Sequence, residues 1–284
     1  MKKNITVAAI QMEIKMLDVN TNLDKAQRML KSLFSKQQCD LVVFPEDFIS
    51  GPIPYNLELS VNENSPSISL FKRLAVIYRT YIVCGSVIKR IGKDFYNTSF
   101  LINNKGQAIL EYQKINLWHP EKRYLTPGNA IRVVKTPLGN IGIVICWDLA
   151  FSDIFHKLVE ENADIVCCPS YWTATDGIAR LKKYRRATEN IMVNTLCPAR
   201  AIENEILFVY TNAGGQAEVR LSTKIWRSPQ IGQSQICVPI YGTVAKIDDN
   251  REGFITYKFN RDLLKDAERI YKIKEDMKIN FNKN

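Results

Sequence analysis

The chain has 284 residues, of which 46% are hydrophobic and 24% are charged, and its formal net charge is +10. This composition is typical of a globular protein with a substantial core, and the length favours one main domain. No uncharged apolar run reaches the roughly 18 residues that a membrane-spanning helix needs, and no signal-like stretch opens the sequence. We therefore expect no membrane contact and a cytoplasmic location.

Two further classes of protein are disfavoured by the cysteines and the basic residues. The seven cysteines are odd in number and scattered, with neither CxxC spacing nor a histidine cluster, so we expect no disulfide framework and no metal site. Lysines and arginines are spread along the chain instead of alternating with aromatic residues in a block. This distribution argues against a nucleic-acid partner.

Apolar runs of strand length alternate with amphipathic stretches along the chain. In chain order, the predicted strands contain ITVAAIQM, CDLVVFPE, YIVCGSVI, YNTSFLIN, NIGIVICW, ADIVCCPS and EILFVYTN. The predicted helices contain NLDKAQRMLKSLF, SISLFKRLAVIYR, SDIFHKLVEEN and GIARLKKYRRATENIMV. Several strand runs are too continuously apolar to have a wet face, so the pattern predicts an α/β fold with helices covering a mixed sheet.

Three predicted strands end in residues that can carry chemistry. LVVFPE ends on Glu46, EYQK places Lys114 at the close of a short strand, and GIVIC places Cys146 at the turn into a helix-like segment. Ligands of open α/β sheets collect beyond the carboxyl ends of strands. We therefore expect these three side chains to lie near one site.

Cys146 has two interpretations of equal weight on position alone. A strand-to-helix turn favours a thiolate nucleophile, whereas a free cysteine is more often a small buried hydrophobe. A nucleophilic cysteine usually takes a histidine base. His156, however, lies two to three turns along the following helix, and nothing ties His119 to the thiol beyond a supporting role near Lys114.

A carboxylate is therefore the expected base. Glu46 closes an apolar run, where burial would raise its pKa toward the range in which it accepts a thiol proton. Lys114 would then stabilise the oxyanion of a tetrahedral intermediate together with the backbone N–H of Trp147. The alternative is that Glu46 and Lys114 form an ordinary ion pair at the rim of the sheet.

Three short segments resemble the signature regions of the nitrilase superfamily, the carbon-nitrogen hydrolases. They are FPE at 44–46, YQK at 112–114 and ICWD at 145–148, and their order and separation fit as well. Further similar blocks are YNT at 96–98, EKRYLTPG at 121–128, PLGNIGIVIC, ADIVCCPS and ARAIENEILFVYTN at 199–212. Several ordered blocks are far more specific than one short motif, and the resemblance extends from about Ile5 to about Asp262.

The resemblance implies an architecture. Members are similar in having a four-layer αββα sandwich that dimerises through helices, often within larger assemblies. It implies a carbon-nitrogen hydrolase domain over residues 1–262, followed by a charged C-terminal extension over 263–284 as a candidate subunit contact. We accordingly expect a homodimer or a higher homo-oligomer.

The resemblance also implies a reaction. Glu46 matches the general base, Lys114 the oxyanion stabiliser and Cys146 the nucleophile, and Glu121 matches a second glutamate that neighbours the lysine and positions the substrate. The implied reaction cleaves a non-peptide carbon-nitrogen bond of a small linear amide through a cysteine thioester. Ammonia or an amine leaves, and neither a metal nor an organic cofactor is needed.

The chain departs from the family pattern after the nucleophile. Members commonly have Phe-Pro-Glu followed by an arginine there, where this chain has Phe151, Ser152, Asp153 and then His156. We expect a local rearrangement of a structural ion pair. Gln113 likewise replaces an arginine that often precedes the catalytic lysine, a change expected to affect packing alone.

The expected substrate contacts are Trp147, Tyr55, Trp172, Tyr171 and His119. No arginine directly follows Trp147, which disfavours an anionic amino-acid substrate, and the aromatic residues favour an uncharged or cationic chain. Core packing is an equal alternative for each aromatic residue. Three other functions also stay open, namely nitrile hydrolysis, acyl transfer to an amine, and a catalytically idle binding protein with the same fold.

Overall fold

The computed structural model describes residues 1–62, 64–176, 187–221 and 224–281. Six helices lie in these ranges. They are α1 Val19–Lys36, α2 Pro66–Tyr78, α3 Ser152–Glu160, α4 Thr188–Glu203, α5 Asp262–Tyr271 and α6 Ile273–Phe281. A helix was predicted over residues 177–193. Its residues 177–186 lie outside the described residues, and residues 188–193 belong to α4.

The first sheet has seven strands. They are β1 Asn4–Gln11, β2 Leu41–Val43, β3 Tyr81–Val83, β4 Val87–Ile91, β5 Asp94–Ile102, β6 Ala108–Gln113 and β15 Gly253–Asn260. Their order is β15-β1-β2-β3-β5-β4, with β6 paired to β5. β1, β2 and β3 are parallel, with Val7 opposite Leu41 and Leu41 opposite Tyr81. The carboxyl ends of these strands therefore meet at one edge.

The second sheet has six strands in the order β14-β13-β10-β9-β8-β7. They are β7 Val133–Thr136, β8 Gly139–Ile143, β9 Ile165–Ser170, β10 Leu207–Asn212, β13 Gln235–Val238 and β14 Gly242–Lys246. Its central strands β8, β9 and β10 are parallel. A separate antiparallel hairpin pairs β11 Gln216–Leu221 with β12 Lys224–Pro229.

The two sheets pack face to face. Successive side chains of β1 alternate between faces: Val7 and Ala9 belong to the core that the two sheets share, while Ala8 and Ile10 belong to the core beneath α1 and α2. Helices α3 and α4 pack against the second sheet through residues such as Phe155. The layers are thus helix, sheet, sheet and helix, and the expected αββα sandwich is confirmed.

Two predicted elements differ from the structure. The apolar run YIVCGSVI forms two strands because Gly85 turns the chain at φ +36°, where a Cβ atom would lie 1.9 Å from the carbonyl oxygen of Pro45. The helix-like segment after GIVIC begins as a 3-10 turn over Cys146–Ala150, and α3 starts only at Ser152. In the described part of the chain, no helix is both long and apolar enough to cross a membrane.

The predicted C-terminal extension is helical through α5 and α6. Leu264 and Ala267 on α5 are buried. The backbone N–H groups of Ile273 and Lys274 donate hydrogen bonds to the carboxylate of Glu205, each at 3.3 Å. The domain boundary at residue 262 stays a prediction.

Candidate active site

The three strand ends converge on one cavity of about 490 Å³. Glu46 follows β2, Lys114 follows β6 and Cys146 follows β8, and all three line this cavity together with Glu121. Close backbone packing holds the Lys114 segment: the N–H of Gly128 donates to the Lys114 carbonyl at 2.8 Å, and a Cβ atom on Gly128 would lie 2.2 Å from the Gln113 carbonyl oxygen. A side chain at Gly128 would therefore push the lysine strand away.

Lys114 lies between two carboxylates. Its Nζ atom is 2.8 Å from Oε1 of Glu46 and 2.8 Å from Oε2 of Glu121, and the residue is only 2% exposed. Burial alone would lower the pKa of this amine, but the charges of Glu121 and Glu46 outweigh burial and raise the pKa well above its usual value. Lys114 is therefore a fixed ammonium group at the base of the cavity.

Glu46 is held by three donors. Its Oε1 atom accepts from Lys114 Nζ and from Asn97 Nδ2 at 2.7 Å, and its Oε2 atom accepts from the N–H of Tyr171 at 2.8 Å. Burial nonetheless raises the pKa of this carboxyl, and the charge of Glu121 adds to the effect while Lys114 opposes it. A carboxylate with a raised pKa and a fixed position suits the role of a general base.

Asn97, on β5, links the two glutamates. Besides Glu46, its Nδ2 group donates to Oε1 of Glu121 at 2.9 Å, and Glu121 also accepts from the N–H of Trp118 at 2.6 Å. No function was predicted for Asn97 from the sequence. The available signal was its position in the YNT block, which resembles a family block.

The turn that carries Cys146 is anchored by a buried carboxylate. Asp148 Oδ2 accepts from the N–H of Ile145 at 3.0 Å and from the Tyr112 hydroxyl at 2.8 Å, while Oδ1 accepts from the N–H of Asn116 at 2.8 Å and from its Nδ2 at 3.1 Å. Cys146 itself has φ +46°, which is unusual for a residue with a side chain. Asp148 therefore holds a strained turn in place.

Cys146 is buried, with 8% of the residue exposed, and it lines the same cavity as Glu46 and Lys114. Burial raises the pKa of this thiol well above its usual value, the charge of Glu46 raises it further, and Lys114 only partly offsets them. The expectation that the turn favours a thiolate is wrong. The turn is a five-residue 3-10 segment with little helix dipole, and a buried anion already stands beside the sulfur.

Four of the five predicted substrate contacts line the cavity, namely Tyr55, Trp147, Tyr171 and Trp172. Tyr55 is 59% exposed at the mouth. Trp172 is buried, and its Nε1 group donates to Glu189 at 2.6 Å. The Trp147 ring lies 5.7 Å from that of Trp172.

His119 lies behind the aromatic wall. Its ring is 4.7 Å from the Trp118 ring and 6.3 Å from the Trp147 ring, and it is outside the described lining of the cavity. Further lining residues that sequence analysis gave no function are Asp47, Trp118, Arg123, Tyr124, Thr173 and Asp176. Each of them lies within four residues of a predicted site residue in the chain, which is the sequence feature that could have indicated them.

Comparison with known proteins identifies the family. The family model described as "Carbon-nitrogen hydrolase" matches residues 6–269. The chain belongs to the carbon-nitrogen hydrolase family. It is 28% identical over 279 residues to a probable nitrilase from Schizosaccharomyces pombe, covering 95% of this chain and 93% of that protein.

Two further proteins resemble this carbon-nitrogen hydrolase. The 2-oxoglutaramate amidase of Bacillus subtilis is 27% identical over 213 residues, covering 74% of this chain and 76% of the relative. Among solved structures, a CN-hydrolase superfamily protein from Xanthomonas campestris superposes with a TM-score of 0.81 at 20% identity, covering 97% of each chain. At this level of identity, the similarity to the Xanthomonas campestris protein shows a shared fold.

The residues that depart from the family pattern lie away from the cavity of this carbon-nitrogen hydrolase. Asp153 is exposed on α3, and His156 is half-buried on the same helix. The turn before α3 is held instead by Arg200, whose Nε and NH2 groups donate to the Leu149 carbonyl at 3.1 and 3.0 Å and whose NH1 group contacts Glu203 at 2.6 Å. Among the described residues, no group of His, Cys, Asp and Glu is arranged to hold a metal ion.

Proposed function

We propose that this carbon-nitrogen hydrolase cleaves a small linear amide with Cys146 as nucleophile, Glu46 as general base and Lys114 as oxyanion stabiliser. The observation that carries the proposal is the position of Lys114 Nζ, 2.8 Å from both Glu46 and Glu121, in the cavity that Cys146 lines. An ordinary ion pair at the rim of the sheet would be open to water, whereas Lys114 is buried between two carboxylates. The 2-oxoglutaramate amidase relative supports an amide as the substrate.

The reaction begins with a neutral thiol. As Cys146 Sγ forms a bond to the amide carbon, its proton passes to Glu46, and the carbonyl oxygen becomes an oxyanion beside Lys114 Nζ and the N–H of Trp147. Glu46 then gives the proton to the substrate nitrogen as the carbon-nitrogen bond breaks. Ammonia or an amine leaves, and the acyl group remains on sulfur as a thioester.

The second half of the reaction repeats these transfers with water. Glu46 takes a proton from a water molecule as its oxygen attacks the thioester carbon, and the oxyanion again faces Lys114. The carbon-sulfur bond breaks, sulfur regains a proton from Glu46, and a carboxylic acid leaves. Glu121 acts throughout by holding Lys114 in position, since one of its oxygens accepts from Lys114 and both accept from neutral donors.

An ammonia-release screen over linear amides, nitriles and carbamoyl amines tests the proposal. Release from amides is expected for the unmodified chain and is expected to disappear in Cys146→Ala. Cys39→Ala, which removes a buried thiol two residues before β2 and outside the described cavity lining, serves as the matched control and is expected to keep turnover. Folded protein that releases ammonia from none of these compounds would contradict the proposal.

The other candidate functions separate in the same assays. Faster release from nitriles than from amides would favour the nitrilase alternative, which the name of the S. pombe relative suggests. New amides formed on addition of amine acceptors would favour acyl transfer. An acyl adduct on Cys146, detected by mass spectrometry of the quenched reaction, would exclude an idle binding protein.

We also propose that the enzyme works in the cytoplasm. All seven cysteines are unpaired and buried, which suits a reducing compartment. Localisation of the tagged full chain by microscopy and fractionation tests this; recovery from an oxidising compartment would contradict it.

Self-association is a further part of the proposal. Large apolar side chains are exposed at Ile191 and Ile202 on α4, at Tyr241 in the turn before β14, and at Ile270 and Tyr271 on α5. Apolar side chains that form one contiguous exposed patch mark a protein contact, and we propose that these residues contribute to such a patch. We expect light scattering to give at least a dimer and Ile202→Lys to reduce the mass; a monomer at micromolar concentration would contradict the proposal.

A further inference from the structure

Asp47, in the wall of the cavity, carries a buried carboxyl group that has no hydrogen-bond partner among the described residues. The residue follows Glu46, lines the cavity and is only 5% exposed. Its Oδ1 atom has no partner among the described residues, and no hydrogen bond to Oδ2 occurs there either. Buried polar atoms are nearly always paired, so an unpaired carboxyl on a residue that lines a cavity suits a ligand that supplies a donor.

The backbone holds Asp47 in this orientation. Its φ of +52° is one that Asp tolerates better than most residues, and its N–H donates to Ser86 Oγ at 3.3 Å. On its two sides the loop is held by Glu46, whose carboxylate has three donors, and by the N–H of Gly51, which donates to the Asp47 carbonyl at 2.7 Å. These contacts fix the backbone of Asp47 at the wall of the cavity.

The charge of the cavity is opposite to the charge of the chain. Although the formal net charge of the protein is +10, four carboxyl groups and two cationic side chains line the cavity. Lys114 is already shared by Glu46 and Glu121, and Arg123 is exposed. Among the described residues that line the cavity, carboxyl groups therefore outnumber cations by four to two, a balance that favours a cationic ligand over an anionic one.

Two tyrosines, Tyr124 and Tyr171, line the same cavity as Asp47. Burial raises the pKa of both phenols, and the negative charge of Asp47 raises both pKa values further. Asp176 acts on Tyr171 as well, and its own pKa is raised to about 6, chiefly by burial. A carboxylate flanked by aromatic rings is the arrangement that binds alkylammonium groups.

We propose that the substrate is an amide whose acyl chain ends in an ammonium group, bound by Asp47 beside Tyr124 and Tyr171. The inference rests on the amidase function proposed above and names the class of amide. Because the ammonium group belongs to the acyl chain, it holds the thioester in place until water arrives. Burial, with the charges of Glu46 and Glu121, raises the pKa of the empty Asp47 carboxyl well above its usual value, and the bound cation favours its ionised form.

Three amides with the same four methylenes test the proposal. 5-Aminopentanamide ends in an ammonium group, hexanamide ends in a methyl group of similar size, and the monoamide of adipic acid ends in a carboxylate. We expect kcat/KM of the full chain to be at least tenfold higher for the ammonium amide than for hexanamide, and lowest for the carboxylate. The same comparison with two, three and five methylenes determines which chain length reaches Asp47.

Asp47→Asn removes the charge at nearly constant size. We expect it to reduce the ratio of kcat/KM between ammonium amide and alkyl amide at least tenfold. Asp24→Asn makes the same chemical change on the exposed face of α1 and is expected to leave that ratio unchanged. A ratio near one in the unmodified chain at every length, or an equal loss for all three amides in Asp47→Asn, would overturn the proposal.

Binding to Cys146→Ala separates this proposal from the amidase function. Calorimetry on the variant is expected to give a Kd at least tenfold lower for the ammonium amide than for hexanamide, independent of turnover. If folded protein releases ammonia from none of the amides, the amidase function fails and the binding ratio alone decides on the ammonium site. If alkyl amides are hydrolysed equally well and bound equally tightly, the ammonium site fails and the amidase function stands.

Discussion

Asp148→Asn tests whether the turn that presents Cys146 depends on one buried carboxylate. Asparagine can offer its carbonyl oxygen to one pair of donors, but its NH2 group must then face the other pair, either Ile145 N–H with Tyr112 O–H or the two donors of Asn116. Hydrogen bonds to a charged acceptor contribute about 1.5–3 kcal/mol each, and the Tyr112 hydroxyl can rotate to accept instead. We therefore expect a loss of about 2–3 kcal/mol in the free energy of unfolding, and a larger loss for Asp148→Ala.

The same substitution is expected to reduce kcat about a hundredfold or more, since a displacement of roughly 1 Å at a reacting group has that effect. Urea unfolding followed by circular dichroism gives the stability, and ammonia release gives kcat. Asp153→Asn, an exposed aspartate on α3, is the control and is expected to change stability by less than about 0.5 kcal/mol. If Asp148→Asn matched this control in both assays, the carboxylate would not anchor the turn.

Three other predictions concern the charged cluster. Glu46 must be ionised to accept a proton, and burial raises its pKa. As the pH is lowered, kcat/KM is therefore expected to begin to fall at a pH above the usual glutamate pKa of about 4.3. An acid limb at or below about pH 4.3 would contradict this. Glu121→Gln removes one of the two charges holding Lys114 and is expected to lower kcat at least tenfold with a smaller change in KM, measured by ammonia release, whereas an unchanged kcat would exclude the positioning role. Asn97→Ala removes the amide between Glu46 and Glu121 and is expected to shift the acid limb of the pH profile upward, because the ionised Glu46 loses a donor; an unmoved limb would refute this.

The strand ends explain how much of the site the sequence predicts. Glu46 and Cys146 each follow an apolar run and Lys114 follows a short strand, so the sequence places all three at strand ends. Their meeting also needs the two sheets to pack face to face, because β2 and β6 belong to one sheet and β8 to the other. Glu121 needs the family resemblance because it lies in a short turn with no periodicity. Alternating apolar runs and amphipathic stretches predict an α/β fold with helices covering a mixed sheet, and the family resemblance adds the four αββα layers.

The missed residues depend on contacts between distant segments. Asn97 has a role in the site because it donates hydrogen bonds to Glu46, 51 residues earlier, and to Glu121, 24 residues later. Asp148 is a buried acceptor only because Tyr112 and Asn116 reach it from another sheet. The sequence could not predict that the pKa of Cys146 is raised, because the shift depends on the burial of the sulfur and on the charge of Glu46.

The raised pKa of Cys146 fits the proposed chemistry once the whole cluster is counted. Before attack, a neutral thiol faces ionised Glu46, ionised Glu121 and the Lys114 ammonium, a total charge of −1. After attack, Glu46 is neutral and the negative charge lies on the oxyanion beside the same ammonium, so the total is still −1. A preformed thiolate beside an ionised Glu46 would add one more buried negative charge at rest, and burial makes such a charge costly. Keeping the proton on sulfur until the carbon-sulfur bond forms therefore avoids that cost and lets the negative charge develop where Lys114 stabilises it.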